Sequence, residues 1–289
     1  VTTAGQWLAG ARPRTLGLAV APVAVGTAAG AVGGTPIWWR AGAALVVALG
    51  LQIGANYAND YADGVRGTDA DRRGPLRLTA TGLARPAAVK RAAFLAFGVA
   101  AVVGTALALV VEPWLLVLGI ACVAAAWWYT GGSRPYGYSG WGEVAVLACF
   151  GFAATAGSAY VQASAVPAAA WWGSLVVGLP ACSVLLANNI RDIDTDRVSG
   201  KRTLAVRLGP APTRRLFVAC LVAAFVAVLP IGIDHPSAFL TLLALPFAVG
   251  PIRLVLTRED PPSLVRALVG TVRLTLVAAA LLTLGLALA

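Results

Sequence analysis

The chain contains a repeating series of apolar runs, each about long enough to cross a bilayer and each carrying little or no charge. A membrane-crossing helix needs roughly 20 predominantly apolar residues. Nine such runs are present, at about 15–33, 41–62, 92–111, 114–132, 141–163, 169–190, 214–233, 236–252 and 267–287. They are continuous rather than alternating, which selects helices over barrel strands. Only 12% of the residues are charged, whereas a soluble domain carries about 25%. The expected fold is all-α: a polytopic membrane protein with nine transmembrane helices, forming a single domain over residues 1–289.

The formal net charge of +10 raises the question of nucleic acid, and its distribution answers against it. With the loops numbered alternately from the N-terminus, almost every Lys and Arg falls on one side. That side receives Arg12 and Arg14, Arg66 to Arg91, Arg134, Arg191 to Arg215, and Arg253 to Arg273. Only Arg40 falls on the other. Positive charge marks the cytoplasmic face, so the N-terminus is expected in the cytoplasm and the C-terminus outside, in a plasma or inner membrane. The four cysteines lie in apolar runs at wide spacing with no CxxC, which argues against a disulfide framework or zinc site. The sole histidine, His235, falls on the outer side, away from the charged loops.

Two loops break the pattern of short connections: residues 63–91 and 191–213. They follow the second and sixth apolar runs and are both expected on the cytoplasmic side. Seven of the twelve acidic residues lie in these loops or in the helix end just before: Asp60, Asp63, Asp69, Asp71, Asp192, Asp194 and Asp196. The first place reads N-D-Y-A-D from Asn59 and the second N-N-I-R-D from Asn188, each followed by glycine, basic residues and leucine. Asn56, Asn59, Asp60 and Asp63 form one helical stripe, as do Asn189, Asp192 and Asp196. Such stripes are costly against lipid and are expected to face a wet, protein-lined cavity.

Clustered Asp and Asn oxygens are hard ligands suited to Mg²⁺ or Ca²⁺. Two such clusters flanked by Arg and Lys describe a pocket for a metal-bound diphosphate. No nucleophile–base pair of hydrolase type is visible, so the implied chemistry is departure of a diphosphate leaving group. A pocket of this kind at a membrane edge suits a lipid diphosphate, whose allylic cation must be shielded from water. Trp127, Trp128, Tyr129, Tyr136, Tyr138 and Tyr160 supply aromatic faces for such a cation.

Four longer signatures carry a family resemblance: ARPRTL (11–16), NDYADGVRGTDADRRGPLRL (59–78), YTGGSRPYGYSGWGE (129–143) and NNIRDIDTDRVSGKRTLAVRLG (188–209). In this order they resemble the UbiA-type superfamily of intramembrane aromatic prenyltransferases, and within it the 1,4-dihydroxy-2-naphthoate branch of menaquinone synthesis. The resemblance implies Mg²⁺-dependent transfer of a polyprenyl group from polyprenyl diphosphate to 1,4-dihydroxy-2-naphthoate, with loss of CO₂ and diphosphate, giving demethylmenaquinone. It also implies metal roles for Asn59, Asp60, Asp63, Asp69, Asp192 and Asp196, with Asp63, Asp192 and Tyr129 at the chemistry. The superfamily pattern has its last first-motif aspartate where this chain has Gly67, so Asp69 is expected to substitute. Arg14, Arg77, Arg134 and Lys201 are the candidates for diphosphate or carboxylate contact, with Asn56 and Asn188 beside them. The competing readings are another acceptor within the superfamily and a secondary transporter, which also combines repeats with intramembrane acids. A phosphatidyl-alcohol phosphotransferase is set aside, because Asp63-Gly64 is followed by Val65-Arg66-Gly67-Thr68 rather than that family's motif.

Overall fold

Several helix starts among the described residues coincide with residues that lack or satisfy a backbone N–H. Proline supplies the first or second position of four long or medium helices, where its missing N–H costs nothing. Asp260 caps the last of them, its side chain accepting from Ser263 N–H at 2.9 Å. The computed structural model describes residues 2–68 and 76–289, and among them there is no strand.

The helices are α1 (Ala4–Gly10), α2 (Gly17–Gly30), α3 (Trp38–Arg66), α4 (Pro86–Val111) and α5 (Leu115–Trp128). They continue with α6 (Gly142–Ala163), α7 (Ala168–Arg191), α8 (Ile193–Val198), α9 (Leu204–Leu208) and α10 (Pro210–Asp234). A 3-10 segment, Pro236–Ala244, then leads into α11 (Pro246–Thr257), and α12 (Pro261–Ala287) closes the chain.

Six of these, α3, α4, α6, α7, α10 and α12, are long and apolar enough to cross a membrane. The segment Pro236–Ala244 with α11 makes a seventh if taken together, bent by 42°. α2 and α5 are apolar but only 14 residues each. At about 1.5 Å per residue, 14 residues span roughly 21 Å, short of the ~30 Å hydrocarbon core.

α7 is the most buried of the long helices. It packs against α2, α6, α10 and α12, while α3 and α4 lie along each other at the flank. Val25, Ala29, Val176, Val228, Ile231 and Leu282 form one buried cluster. Leu186, Phe217, Leu221 and Leu274 form a second beside it. A third, of Tyr57, Leu78, Val89 and Phe97, joins the loop after α3 to α4. The outer face of α4 presents Leu95, Val99, Val102 and Leu109, as a lipid-facing helix does. This packing brings the C-terminal ends of α3 and α7 to one end of the bundle.

Candidate active site

α3 stops at Gly67, and the stop shapes the first cluster. Thr68 N–H donates to the Asp63 carbonyl at 3.1 Å and Gly67 N–H to the Gly64 carbonyl at 3.2 Å. This pair is the Schellman closure of a helix, which needs a left-handed residue. Gly67 supplies it with φ of 74°. The position where the superfamily pattern has an aspartate is therefore a helix stop in this chain. Asp69, expected to substitute, lies outside the described residues.

Asp63 is buried and is where separate segments meet. The Tyr138 hydroxyl donates to its Oδ1 at 2.5 Å. Arg77 Nη2 stands 3.6 Å from Oδ2, and Lys201 Nζ 3.5 Å from Oδ1. Lys201 also lies over the Tyr138 ring, 4.7 Å from its centroid. Arg66 approaches the same ring and binds the carbonyls of Thr130 and Gly132. Asn59 accepts from the Thr130 hydroxyl at 2.8 Å.

The other residues of the first stripe have structural partners. Asn56 donates to the Ala11 carbonyl at 2.9 Å, holding the N-terminal segment against α3. Asp60 accepts backbone N–H groups from Leu78 and Thr79, each at 2.8 Å. The family resemblance implies a metal role for Asp60. Both of its carboxylate oxygens meet the following loop.

The second cluster ends α7 and begins α8. Arg191 grips Asp192 through both oxygens, at 2.7 and 2.6 Å, and donates to Asn188 Oδ1 at 2.8 Å. Asn189 donates to Glu143 Oε1 at 3.0 Å, while Glu143 Oε2 is buried with no hydrogen-bond partner among the described residues. Asp196 is buried one turn beyond Asp192. The turn from Asp196 to Lys201 closes through Lys201 N–H to the Asp196 carbonyl at 2.8 Å. That turn delivers the Lys201 side chain to Asp63.

Tyr129 lies against the start of α6, where a Cβ on Gly142 would stand 3.2 Å from its hydroxyl. Gly137 and Gly142 keep their backbones close to it; a Cβ on Gly137 would come within 2.5 Å of the Tyr129 carbonyl. Tyr136 packs edge-on against Tyr129.

The structure thus joins Asp63, Arg77 and Lys201 by direct contact. Arg14 and Arg134 are exposed, and neither touches these side chains. For three participants the sequence carries little signal. Arg191 and Thr130 fall inside the sequence signatures without a role of their own, and Tyr138 is one aromatic among six that also reads as an interface anchor. The signal for Arg191 was its place inside the N-N-I-R-D repeat.

Burial pushes the Tyr138 phenol above its ordinary value, and the neighbouring Asp63 carboxylate adds to the rise. Tyr138 is therefore a hydrogen-bond donor throughout the physiological range. Among the described residues no three His, Cys, Asp or Glu side chains gather closely enough to cage a metal ion. Mg²⁺ is commonly held by one or two carboxylates together with substrate phosphates rather than by a full protein cage. Pairs of hard oxygens at two helix ends, with buried Lys and Arg between them, fit that mode.

The family profile described as "UbiA prenyltransferase family" matches residues 19–277. The chain belongs to this family. A relative, 1,4-dihydroxy-2-naphthoate octaprenyltransferase of Mycobacterium tuberculosis, is 49% identical over 251 residues, covering 86% of each chain. The protein of the same name from Escherichia coli is 38% identical over 298 residues, covering 97% of this chain and 94% of its own. Among solved structures, a UbiA homolog from Archaeoglobus fulgidus bound to GPP and Mg²⁺ superposes with a TM-score of 0.66 at 12% identity, over 96% of this chain and 99% of that one. A UbiA homolog from Aeropyrum pernix, in its apo form, gives 0.67 at 15% identity, over 93% and 96%. At these identities the structures establish the UbiA fold and nothing finer.

Proposed function

We propose that this chain transfers a polyprenyl group from polyprenyl diphosphate to 1,4-dihydroxy-2-naphthoate, with loss of CO₂ and diphosphate, giving demethylmenaquinone. The observation that carries the reading is the meeting at Asp63 of α3, the loop bearing Arg77 and the turn bearing Lys201. The names of the 49% and 38% identical relatives supply the acceptor, and the E. coli relative covers nearly the whole chain.

Asn59, Asp63, Asp192 and Asp196 would hold Mg²⁺, Asp192 once the Arg191 side chain turns from it, with Asp69 adding to the first pair. When bound with the diphosphate, the metal neutralises charge on the leaving group. Arg77 and Lys201, buried and already beside Asp63, are positioned to take phosphate oxygens as charge builds on them. Arg14 and Arg134 are exposed and would meet the substrates only as these enter. Asn56 and Asn188 set the backbone and Arg191 around the site. Tyr129 would face the allylic carbon, its aromatic ring offering an electron-rich surface to the cation. Burial of the site keeps water from the cation until the ring carbon bearing the carboxylate attacks it. The acceptor's own hydroxyls supply the electron density, so positioning does most of the remaining work.

The chain acts as a single domain with nine crossings, α2 and α5 being the two short ones. The site faces the cytoplasm, the N-terminus lies inside and the C-terminus outside. The test is product mass: purified protein with Mg²⁺, geranylgeranyl diphosphate and dihydroxynaphthoate should yield the prenylated, decarboxylated product. Asp63→Ala and Asp192→Ala should each lower turnover by roughly 100- to 1,000-fold in protein that still folds, with a lower unfolding temperature because each leaves a buried cation without its partner. Wild-type protein that makes no product but carries substrate across liposomes would replace the enzyme reading with the transporter one.

A further inference from the structure

Asp60 and Asp63 stand one helical turn apart on α3, yet their surroundings divide their work. Asp63 faces Tyr138, Arg77 and Lys201. Asp60 is 1% exposed, and its oxygens are taken by consecutive amides, Oδ2 by Leu78 and Oδ1 by Thr79, both at 2.8 Å. A carboxylate accepting two backbone N–H groups away from water is a strong and directional clasp.

The clasped segment is fitted to the helix that holds it. A Cβ on Gly64 would come within 2.5 Å of the Thr79 side chain, so the close approach depends on glycine there. Leu78 is fully buried in the cluster that contains Tyr57, Val89 and Phe97. Ala84 N–H closes the turn onto the Leu78 carbonyl at 3.0 Å. Arg77 immediately precedes the two clasped amides. Its guanidinium lies 3.6 Å from Asp63, one turn further along the helix that carries Asp60.

We propose that Asp60 is a positioning residue. Through the amides of Leu78 and Thr79 it holds Arg77 at the diphosphate end of the site, and metal binding is left to the other oxygens. The proposal rests on the prenyl-transfer reading in one respect, that Arg77 meets the diphosphate. Two acidic residues of one motif then have different duties: one meets the ligand, the other aims an arginine at it.

The experiment compares Asp60→Asn with Asp63→Asn in the full-length protein, with geranylgeranyl diphosphate, dihydroxynaphthoate and titrated Mg²⁺. Asp60→Asn keeps the volume but sets an NH₂ group against a backbone N–H. It should raise KM for the diphosphate about tenfold, with a smaller change in kcat, and leave the Mg²⁺ half-saturation concentration where it was. Asp63→Asn should raise the Mg²⁺ requirement. Amide hydrogen exchange should quicken over residues 76–84 in Asp60→Asn and not in α7. A Mg²⁺ half-saturation that rises in Asp60→Asn as in Asp63→Asn would make Asp60 a ligand and overturn the proposal. An unchanged KM would overturn it as well, whatever the exchange shows. If wild-type protein forms no product, the functional reading fails by itself; exchange over 76–84 still decides whether the clasp exists.

Discussion

At the scale of single residues, Tyr138 shows what the protein adds to a charge cluster that sequence already marks. Its hydroxyl donates to Asp63 while its ring carries Lys201, so one side chain orders both members of an ion pair. Its phenol titrates above the ordinary tyrosine value because it is buried and faces a carboxylate. A group with a raised folded-state pKa contributes stability that is complete below the unfolded value, near 10, and is lost as pH rises toward the folded one. Tyr138→Phe should therefore lower the unfolding temperature at pH 8. It should also show a shallower further loss than wild type between pH 8 and 10.5, measured by thermal unfolding in detergent. Equal alkaline slopes in both proteins would remove Tyr138 as the source. The same scale shows the limit of reading residue types. Asp60 and Asp63 are the same amino acid on one stripe, and only the fold of residues 77–79 tells them apart. Gly67 was conspicuous in sequence as a missing aspartate. Its reason, a left-handed helix stop, appears only with the backbone.

Elements were legible where apolar length decides them. Each of the nine apolar runs coincides with a helix, or with the bent pair Pro236–Ala244 and α11, because a long uncharged stretch has no other way to satisfy its backbone away from water. What was not legible depends on tertiary contact. The region 191–213 read as a polar loop, yet it winds into α8 and α9, the latter capped by Thr203. Helix crossings were also hidden. Gly26 and Gly30, four residues apart on α2, bring that helix against α6 so closely that a Cβ on Gly26 would stand 2.2 Å from the Thr155 carbonyl oxygen. On Gly30 it would stand 2.5 Å from the Ala159 carbonyl oxygen. Small residues at this spacing let helices pack in an apolar medium, where burial alone gives little drive. Gly26→Val should cost about 1–3 kcal/mol through overpacking, seen as a lower unfolding temperature. Gly34→Val, where the nearest atom to a Cβ is 3.7 Å away, should leave it near wild type. A Gly26→Val protein as stable as wild type would mean the α2–α6 contact is looser than described.

For the whole molecule, the segregation of charge and the contacts between loops bear on one question: which residues share a side. Segments assigned from charge to the cytoplasm touch one another. Arg66 reaches Thr130 and Gly132, Lys201 reaches Asp63, Arg202 N–H meets the Tyr138 carbonyl, and Arg214 meets the carbonyls of Val255 and Arg258. Segments assigned outside also pair among themselves. Ile37 and Gln162 exchange hydrogen bonds, Arg40 binds the Val161 carbonyl, and Ser237 binds the Gly285 carbonyl. An even number of crossings separates residues at one end, and an odd number separates the two ends. Inserting or deleting one crossing would break this grouping, so the sidedness of two positions tests the helices that lie between them. The four native cysteines lie within the apolar runs, and none is exposed, which leaves background labelling low. Ala165→Cys, in the exposed connection between α6 and α7, should react with a membrane-impermeant maleimide in intact cells. Thr257→Cys, exposed at the end of α11, should react only after the membrane is opened. Labelling of both from outside would require an odd number of crossings to be wrong between them. It would break the proposed order of helices after α6, and with it the placing of the Asp192 cluster opposite Asp63 on the cytoplasmic side.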